Sequence, residues 1–135
     1  MENNQNIFDR NALRRNRSRA SKAMPAHDFL FADVGHRLLS RLDMVKRTFP
    51  RTLDLGCHTG HLKKLIGLKH GTECFVNCDL SAAMAHSAGL PSIVADEEGL
   101  AFADQSLDLV LSSLSLHWVN NLPLALAQIL RCLRP

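Results

Sequence analysis

The sequence predicts an α/β fold: a parallel sheet of four strands, flanked by helices and preceded by helices. Three observations carry this. From residue 51 onward, short apolar runs alternate with helix-forming stretches, the pattern of strand–helix–strand units. The first run, Thr52-Leu53-Asp54-Leu55, leads into a turn holding Gly56 and Gly60. Acids stand at the ends of the first three runs: Asp54, Asp79 and the triplet Asp96-Glu97-Glu98.

Each element has its own signal. Residues 8–23 are rich in helix formers and stop near Pro25. Residues 27–47 place Leu30, Val34, Leu38, Leu42 and Val45 at three- and four-residue steps, which predicts one apolar helix face. Phe49-Pro50 closes that helix, because proline disfavours the helical region at the residue before it. After the first strand, residues 61–68 read as a helix with Leu62, Leu65 and Ile66 inward. Residues 74–78 form the second strand, ending at Asp79, and Ser81 caps a helix through Ala88. A third strand covers 92–95, Asp104-Gln105 make a turn, and a fourth strand covers 107–112. Pro123 suits the first turn of a last helix that includes Leu124, Ile129 and Leu133.

Composition narrows the function classes. With 46% hydrophobic and 21% charged residues, the chain has enough apolar matter for a core and is not of disordered type. Its apolar runs fall far short of the roughly 18 residues of a membrane helix. Residues 1–10, MENNQNIFDR, carry no apolar stretch of secretory type. The Arg-rich continuation resembles a transit peptide in composition, but Phe8 and its followers fit the first helix. The four cysteines lack zinc or disulfide spacing, which points to a reduced, cytoplasmic-type compartment. Cys57, His58 and His61 lack a fourth ligand at sensible spacing, so no metal site is expected.

Charge divides the chain. Residues 1–50 hold ten Lys or Arg against five Asp or Glu, whereas residues 51–135 hold six against eight. The basic excess lies in Arg10, Arg14, Arg15, Arg17, Arg19 and Lys22. Such a run is either a solvated helix face or a grip for a protein partner. No aromatic residues interleave it, so nucleic acid is not the expected partner. The division is a basic helical segment, 1–50, followed by an α/β unit, 51–135.

The turn after the first strand lets backbone approach a ligand and aims free N–H groups at a negative group such as a carboxylate. Asp79, 25 residues beyond Asp54, can accept hydrogen bonds from both ribose hydroxyls of a nucleoside. The bland alternatives are that Asp54 caps the following helix and that Asp79 is an ordinary strand-end acid.

Segment 51–134 resembles class I S-adenosyl-L-methionine (SAM) dependent methyltransferases of the type 11 group, which have a Rossmann-like fold. The resemblance is carried by Leu53-Asp54-Leu55-Gly56-Cys57, by Cys78-Asp79-Leu80-Ser81, by Ala95-Asp96 and by residues 100–110. Residues 115–123, Ser-Leu-His-Trp-Val-Asn-Asn-Leu-Pro, are similar to two related groups. One comprises malonyl-acyl-carrier-protein methyltransferases; the other comprises complex I assembly factors that hydroxylate arginine. Ile7-Phe8-Asp9-Arg10 looks more like the second.

The resemblance implies SAM as cofactor and an unidentified methyl acceptor as partner. It implies that Asp54 holds the methionine amino end, that Gly56 and Gly60 form the turn beneath it, and that Asp79 binds the ribose. Leu80 would pack on the adenine and Asp96 would face its amino group, with Glu97 competing for that role. Ser113 and Leu114 would flank the sulfonium. His117, a candidate proton acceptor or a merely packed residue, would lie with Trp118 near the acceptor. Cys57 is explained by packing.

Two departures stand out. His58 replaces the middle glycine of the usual turn; at positive φ its β-carbon costs roughly 1–2 kcal/mol, and its ring can intrude on the ligand or contact it. Asn121 stands where relatives tend to have aspartate. The sequence ends at Leu133-Arg134-Pro135, before a fifth strand, which reads as truncation and leaves the fourth strand as an open edge suited to oligomer contacts. The leading expectation is a methyltransferase, with isolated activity in doubt. The alternative is an assembly-factor-like protein that is non-catalytic or binds SAM without transferring its methyl group.

Overall fold

The computed structural model describes residues 6–135, so the leader reading of residues 1–10 falls partly outside the described residues. Helix α1 spans Arg10–Ala20 and starts at Asp9, whose carboxylate accepts from the N–H groups of Asn11 and Ala12 at 2.9 and 3.0 Å. This satisfies two of the orphan donors of a helix start. A short helix, α2 (Met24–His27), carries Pro25 in its first turn, and α3 runs Phe29–Leu42.

The single helix expected over 27–47 is therefore corrected. It ends at Leu42, and its apolar face agrees only in part with the one read in the sequence: Leu38 and Leu42 pack in the core. Leu30 and Val45 are about half exposed, whereas Gly35, Leu39 and Leu42 are buried. A ladder of four-residue steps drifts round the helix by about 40° per step, so it cannot stay on one face. Contact with the next helix selects the face instead: at Gly35 a β-carbon would sit 3.1–3.2 Å from the Leu65 and Leu62 side chains.

Four strands follow: β1 (Arg51–Leu55), β2 (Cys74–Asp79), β3 (Ser92–Val94) and β4 (Leu109–Leu111), in the order β3-β2-β1-β4. All pairs are parallel, and Leu53 lies between Val76 and Val110. Helices α4 (His61–Ile66), α5 (Ala82–Ala88) and α6 (Leu122–Cys132) connect or follow them, so the predicted α/β class and parallel sheet are found. Alternation along β1 sorts the two faces. Leu53 and Leu55, fully buried, join Cys78, Leu100, Leu107 and Cys132 on the α6 side. Phe49, Leu62, Ile66, Phe75 and Leu111 pack with α3 on the other.

β4 is shorter than the expected 107–112. Leu107 instead pairs with Leu133 as an isolated parallel bridge, and Asp108 accepts from the Arg51 N–H at 2.8 Å. The chain after α6 thus lies beside the entry to β4 rather than leaving it bare. Among the described residues no helix is long and apolar enough to cross a membrane, and no cluster of His, Cys, Asp and Glu is arranged to hold a metal.

Candidate functional site

The parallel sheet brings the C-terminal ends of β1 and β2 side by side, and there the predicted residues meet. Gly56 has φ +77° and Gly60 φ +87°. A β-carbon at Gly56 would lie 2.1 Å from Ser115 Oγ, so only glycine fits. The expected cradle of free N–H groups is corrected, however. Gly56 and Cys57 both donate to the Cys78 carbonyl at 2.8 and 2.9 Å, Gly60 donates to Cys57, and His58 donates to Asp79. The ladder between β1 and β2 continues past the end of β1 and takes the first two donors; the turn itself and the Asp79 carboxylate take the others.

Asp54 is 1% exposed, and neither carboxylate oxygen has a hydrogen-bond partner among the described residues. It does not cap α4, which starts at Gly60 with no side-chain cap. Burial, and then the charge of Asp79, pushes its pKa up to about 8. A buried acid in this condition is a receptor for a cationic or hydrogen-bond-donating group. The ordinary requirement that buried polar atoms be satisfied makes it the most informative residue of the site.

Asp79 is as buried as Asp54 but fully engaged. Its Oδ1 accepts from the Ser81 N–H at 2.9 Å and from Arg17 Nη1 at 3.2 Å; its Oδ2 accepts from the His58 N–H at 3.0 Å. Glu97, completely buried, accepts from Ser115 Oγ at 2.7 Å and from Arg10. Asp96 is partly exposed and accepts from Arg10 at 2.8 Å. Of the two competing acids, Glu97 is the one turned toward Asp79, since Arg17 reaches both, at 3.2 and 3.8 Å.

Sequence reasoning missed Arg10, Arg17 and Ser115. The basic stretch by itself suggests a solvated face or a partner grip. Arg17 is instead buried, and Arg10 is held by Asp96, Glu97 and Glu98. The available signal was their seven-residue spacing, two helical turns on one face, set against an acidic triplet with no basic neighbours. Arg14, Arg15, Arg19 and Lys22 remain exposed.

His58 has φ +50°, the left-handed conformation in which its β-carbon is strained. Its ring packs on Phe31 with centroids 4.4 Å apart, and Nε2 has no partner among the described residues. Burial, followed by the Arg17 charge, lowers its pKa to about 4, so the imidazole is neutral near pH 7. Ser113 is buried with its hydroxyl unpartnered among the described residues, and Leu80 is buried just beyond β2. Burial drives the Cys57 thiol far up, which removes thiolate chemistry there.

A cavity of about 380 Å³ opens beside these groups, lined among others by Leu13, Arg17, Phe31, His58, Met84 and Trp118. His117 and Leu114 also face it, His117 from the exposed turn 116–118. Phe8 stacks edge-on against Trp118 at 5.4 Å, and Asn120 bonds the Phe8 backbone in both directions at 2.8 and 3.0 Å. The arrangement sets one buried carboxylate without a hydrogen-bond partner among the described residues, and a second one held by Arg17, beside a mostly apolar space.

Residues 53–135 match the methyltransferase domain family. The chain is 39% identical over 137 residues to the mitochondrial arginine-hydroxylase NDUFAF5 of Danio rerio, covering 96% of this chain and 42% of that protein. It is 29% identical over 143 residues to the malonyl-[acyl-carrier protein] O-methyltransferase of Methylovorus sp., covering 96% and 48%. The chain therefore spans less than half the length of these two relatives. A protein of Methanococcus maripaludis assigned as a SAM-dependent methyltransferase superposes with TM-score 0.71 at 19% identity, covering 87% of this chain and 59% of that one. That likeness establishes a Rossmann-like fold.

Proposed function

Because this chain belongs to the methyltransferase domain family, whose cofactor is SAM, we propose that it binds SAM across the tips of β1 and β2 and serves methyl transfer. The observation that carries this is Asp54: two buried, unpartnered carboxylate oxygens beside the left-handed turn at Gly56. In this reading Asp54 accepts from the methionine ammonium, which restores its ionised form. Gly56 and Gly60 shape the floor, Asp79 accepts from the ribose hydroxyls, and Leu80 lies against the adenine side. The deep burial of Glu97 supports it, over Asp96, as the acid facing the adenine amino group. Ser113 turns its free hydroxyl toward the reacting end, with His58 beside it.

When bound, SAM supplies a methyl group on a sulfonium that is already a good leaving group. The chain therefore contributes mainly position, and in-line approach of the acceptor is what it must enforce. His117 and Trp118 form the acceptor side of the cavity; His117 takes the acceptor's proton where the acceptor carries one. The exposed Arg14, Arg15, Arg19 and Lys22 offer a face for an acidic protein partner. Four cysteines without disulfides support a reducing compartment; cytosol and mitochondrial matrix both qualify, and the arginine-hydroxylase relatives are mitochondrial.

A second reading, arginine hydroxylation, is favoured by one observation. The arginine-hydroxylases match at 38–40% identity, against 28–31% for the malonyl-carrier-protein methyltransferases. Both readings require SAM to bind. Calorimetric titration of the folded chain with SAM should show saturable micromolar binding, and Asp54→Asn should weaken it by about tenfold or more. A folded sample that takes up no SAM, or an Asp54→Asn variant that binds as well as the parent, overturns the proposal. Methylation of a candidate acceptor by labelled SAM then separates the two readings.

A further inference from the structure

Helix α1 lies across the site, and its polar ties run to the groups a nucleoside would need. Arg17 Nη1 occupies Asp79 Oδ1 at 3.2 Å, and Arg17 Nη2 donates to Ser115 Oγ at 3.1 Å. Ser115 in turn sits directly over Gly56. Arg10 binds Asp96 and Glu97 and also donates to the Trp118 carbonyl at 3.0 Å. Ser18 Oγ meets Ser81 Oγ at 2.9 Å, at the start of α5. Asp79 already accepts three hydrogen bonds, close to the capacity of a carboxylate. Two sugar hydroxyls cannot reach both of its oxygens while Arg17 remains.

The same helix is weakly anchored by apolar contact. Arg17 is its only buried residue; Arg14, Arg15, Asn16, Arg19 and Ala20 are exposed, and Leu13 is half-buried. What holds α1 down is a set of ion pairs and hydrogen bonds whose partners a ligand and water can take over, with little buried apolar surface. A helix fixed in this manner can lift without unfolding the sheet beneath it.

We propose that α1 is a gate held shut by Arg17 on Asp79, and that the adenosine of SAM enters only when Arg17 releases that carboxylate. The proposal rests on the reading of Asp79 as the ribose acid. It makes the closed helix an internal competitor of the cofactor: whatever draws α1 away, such as an acidic partner on its exposed arginines, raises affinity for SAM, and SAM in turn raises affinity for that partner.

Two variants of this chain test this, each titrated calorimetrically with SAM. Arg17→Met keeps the length of the side chain and removes its charge; it should bind SAM about five- to tenfold tighter than the parent. The second is Ser18→Cys with Ser81→Cys in a Cys74→Ser background, where a disulfide pins α1 to α5. Oxidised and verified by mass, it should lose SAM binding, and a reductant should restore it. Hydrogen exchange of the amides of residues 10–20 should quicken when SAM is added to the parent. Weaker binding by Arg17→Met, equal binding by the oxidised and reduced forms, or slower exchange in α1 with SAM overturns the gate. If SAM binds and Asp79→Ala weakens it in the Arg17→Met background while the pin has no effect, the gate alone fails. If no folded form, including Arg17→Met and the reduced pin, binds SAM, the ribose reading fails and the gate with it.

Discussion

The backbone N–H of His58 donates to Asp79 Oδ2 at 3.0 Å, tying the turn after β1 to the tip of β2. Because the donor is backbone, this tie does not depend on the histidine side chain. What histidine adds is a strained φ of +50° and a ring lodged against Phe31.

His58→Gly should therefore keep the tie. Relief of roughly 1–2 kcal/mol of left-handed strain is offset by a lost ring contact of about 0.5–1.5 kcal/mol, so urea unfolding should place the variant within about 1.5 kcal/mol of the parent. SAM binding should tighten severalfold, because the ring no longer fills the space above the turn. Unchanged or weaker binding in calorimetry refutes the steric account of His58.

Asp54→Asn should separate stability from binding. The folded chain holds the Asp54 proton up to about pH 8, whereas the ordinary value is 3.8. Between these values the folded state binds more protons than the unfolded one, so this contribution to stability is whole below pH 3.8 and is lost as pH rises through 8. Asparagine has no such dependence. The variant should melt above the parent near pH 8, by an amount on the order of a few kcal/mol, with the difference shrinking toward about pH 4. SAM binding should fall by about tenfold or more. A melting difference that does not vary with pH shows that Asp54 is not buried as a neutral acid.

Gly56→Ala places a methyl group 2.1 Å from Ser115 Oγ in a backbone conformation that alanine resists. It should cost about 2–4 kcal/mol in urea unfolding and abolish SAM binding. Gly99→Ala is the control: nothing lies within 4 Å of its β-carbon, and both measurements should match the parent. Equal behaviour of the two variants would mean that the turn is not packed beneath residue 115.

Asn121 caps α6 by accepting from the Leu124 N–H at 3.0 Å. Asn121→Ala should lower stability by about 1 kcal/mol, a fall in Tm of several degrees, and leave SAM binding unchanged because α6 packs behind the sheet. Loss of SAM binding in a folded Asn121→Ala sample would place α6 in the site after all.

Much of the frame was legible in the chain alone. The alternation of Leu53 and Leu55 with Thr52 and Asp54, the turn at Gly56 and Asp79 at the end of the second strand fixed which strand tips would adjoin. Sequence reading failed where position depended on contact between distant segments. The buried face of α3 followed Gly35 and Leu39 because α4 approaches there, a choice that a drifting four-residue ladder does not encode. A glycine turn by itself suggests free amides, whereas the Cys78 carbonyl, 21 or more residues away in sequence, takes two of them.

What the sequence by itself determined is the parallel α/β frame and the two acids, Asp54 and Asp79, at its strand tips, because strand period and turn chemistry are local properties. Only the tertiary structure decided that those acids differ, one left without a partner and the other held by Arg17. A pairing across 62 residues depends on where α1 comes to rest, and no local pattern of residues specifies that.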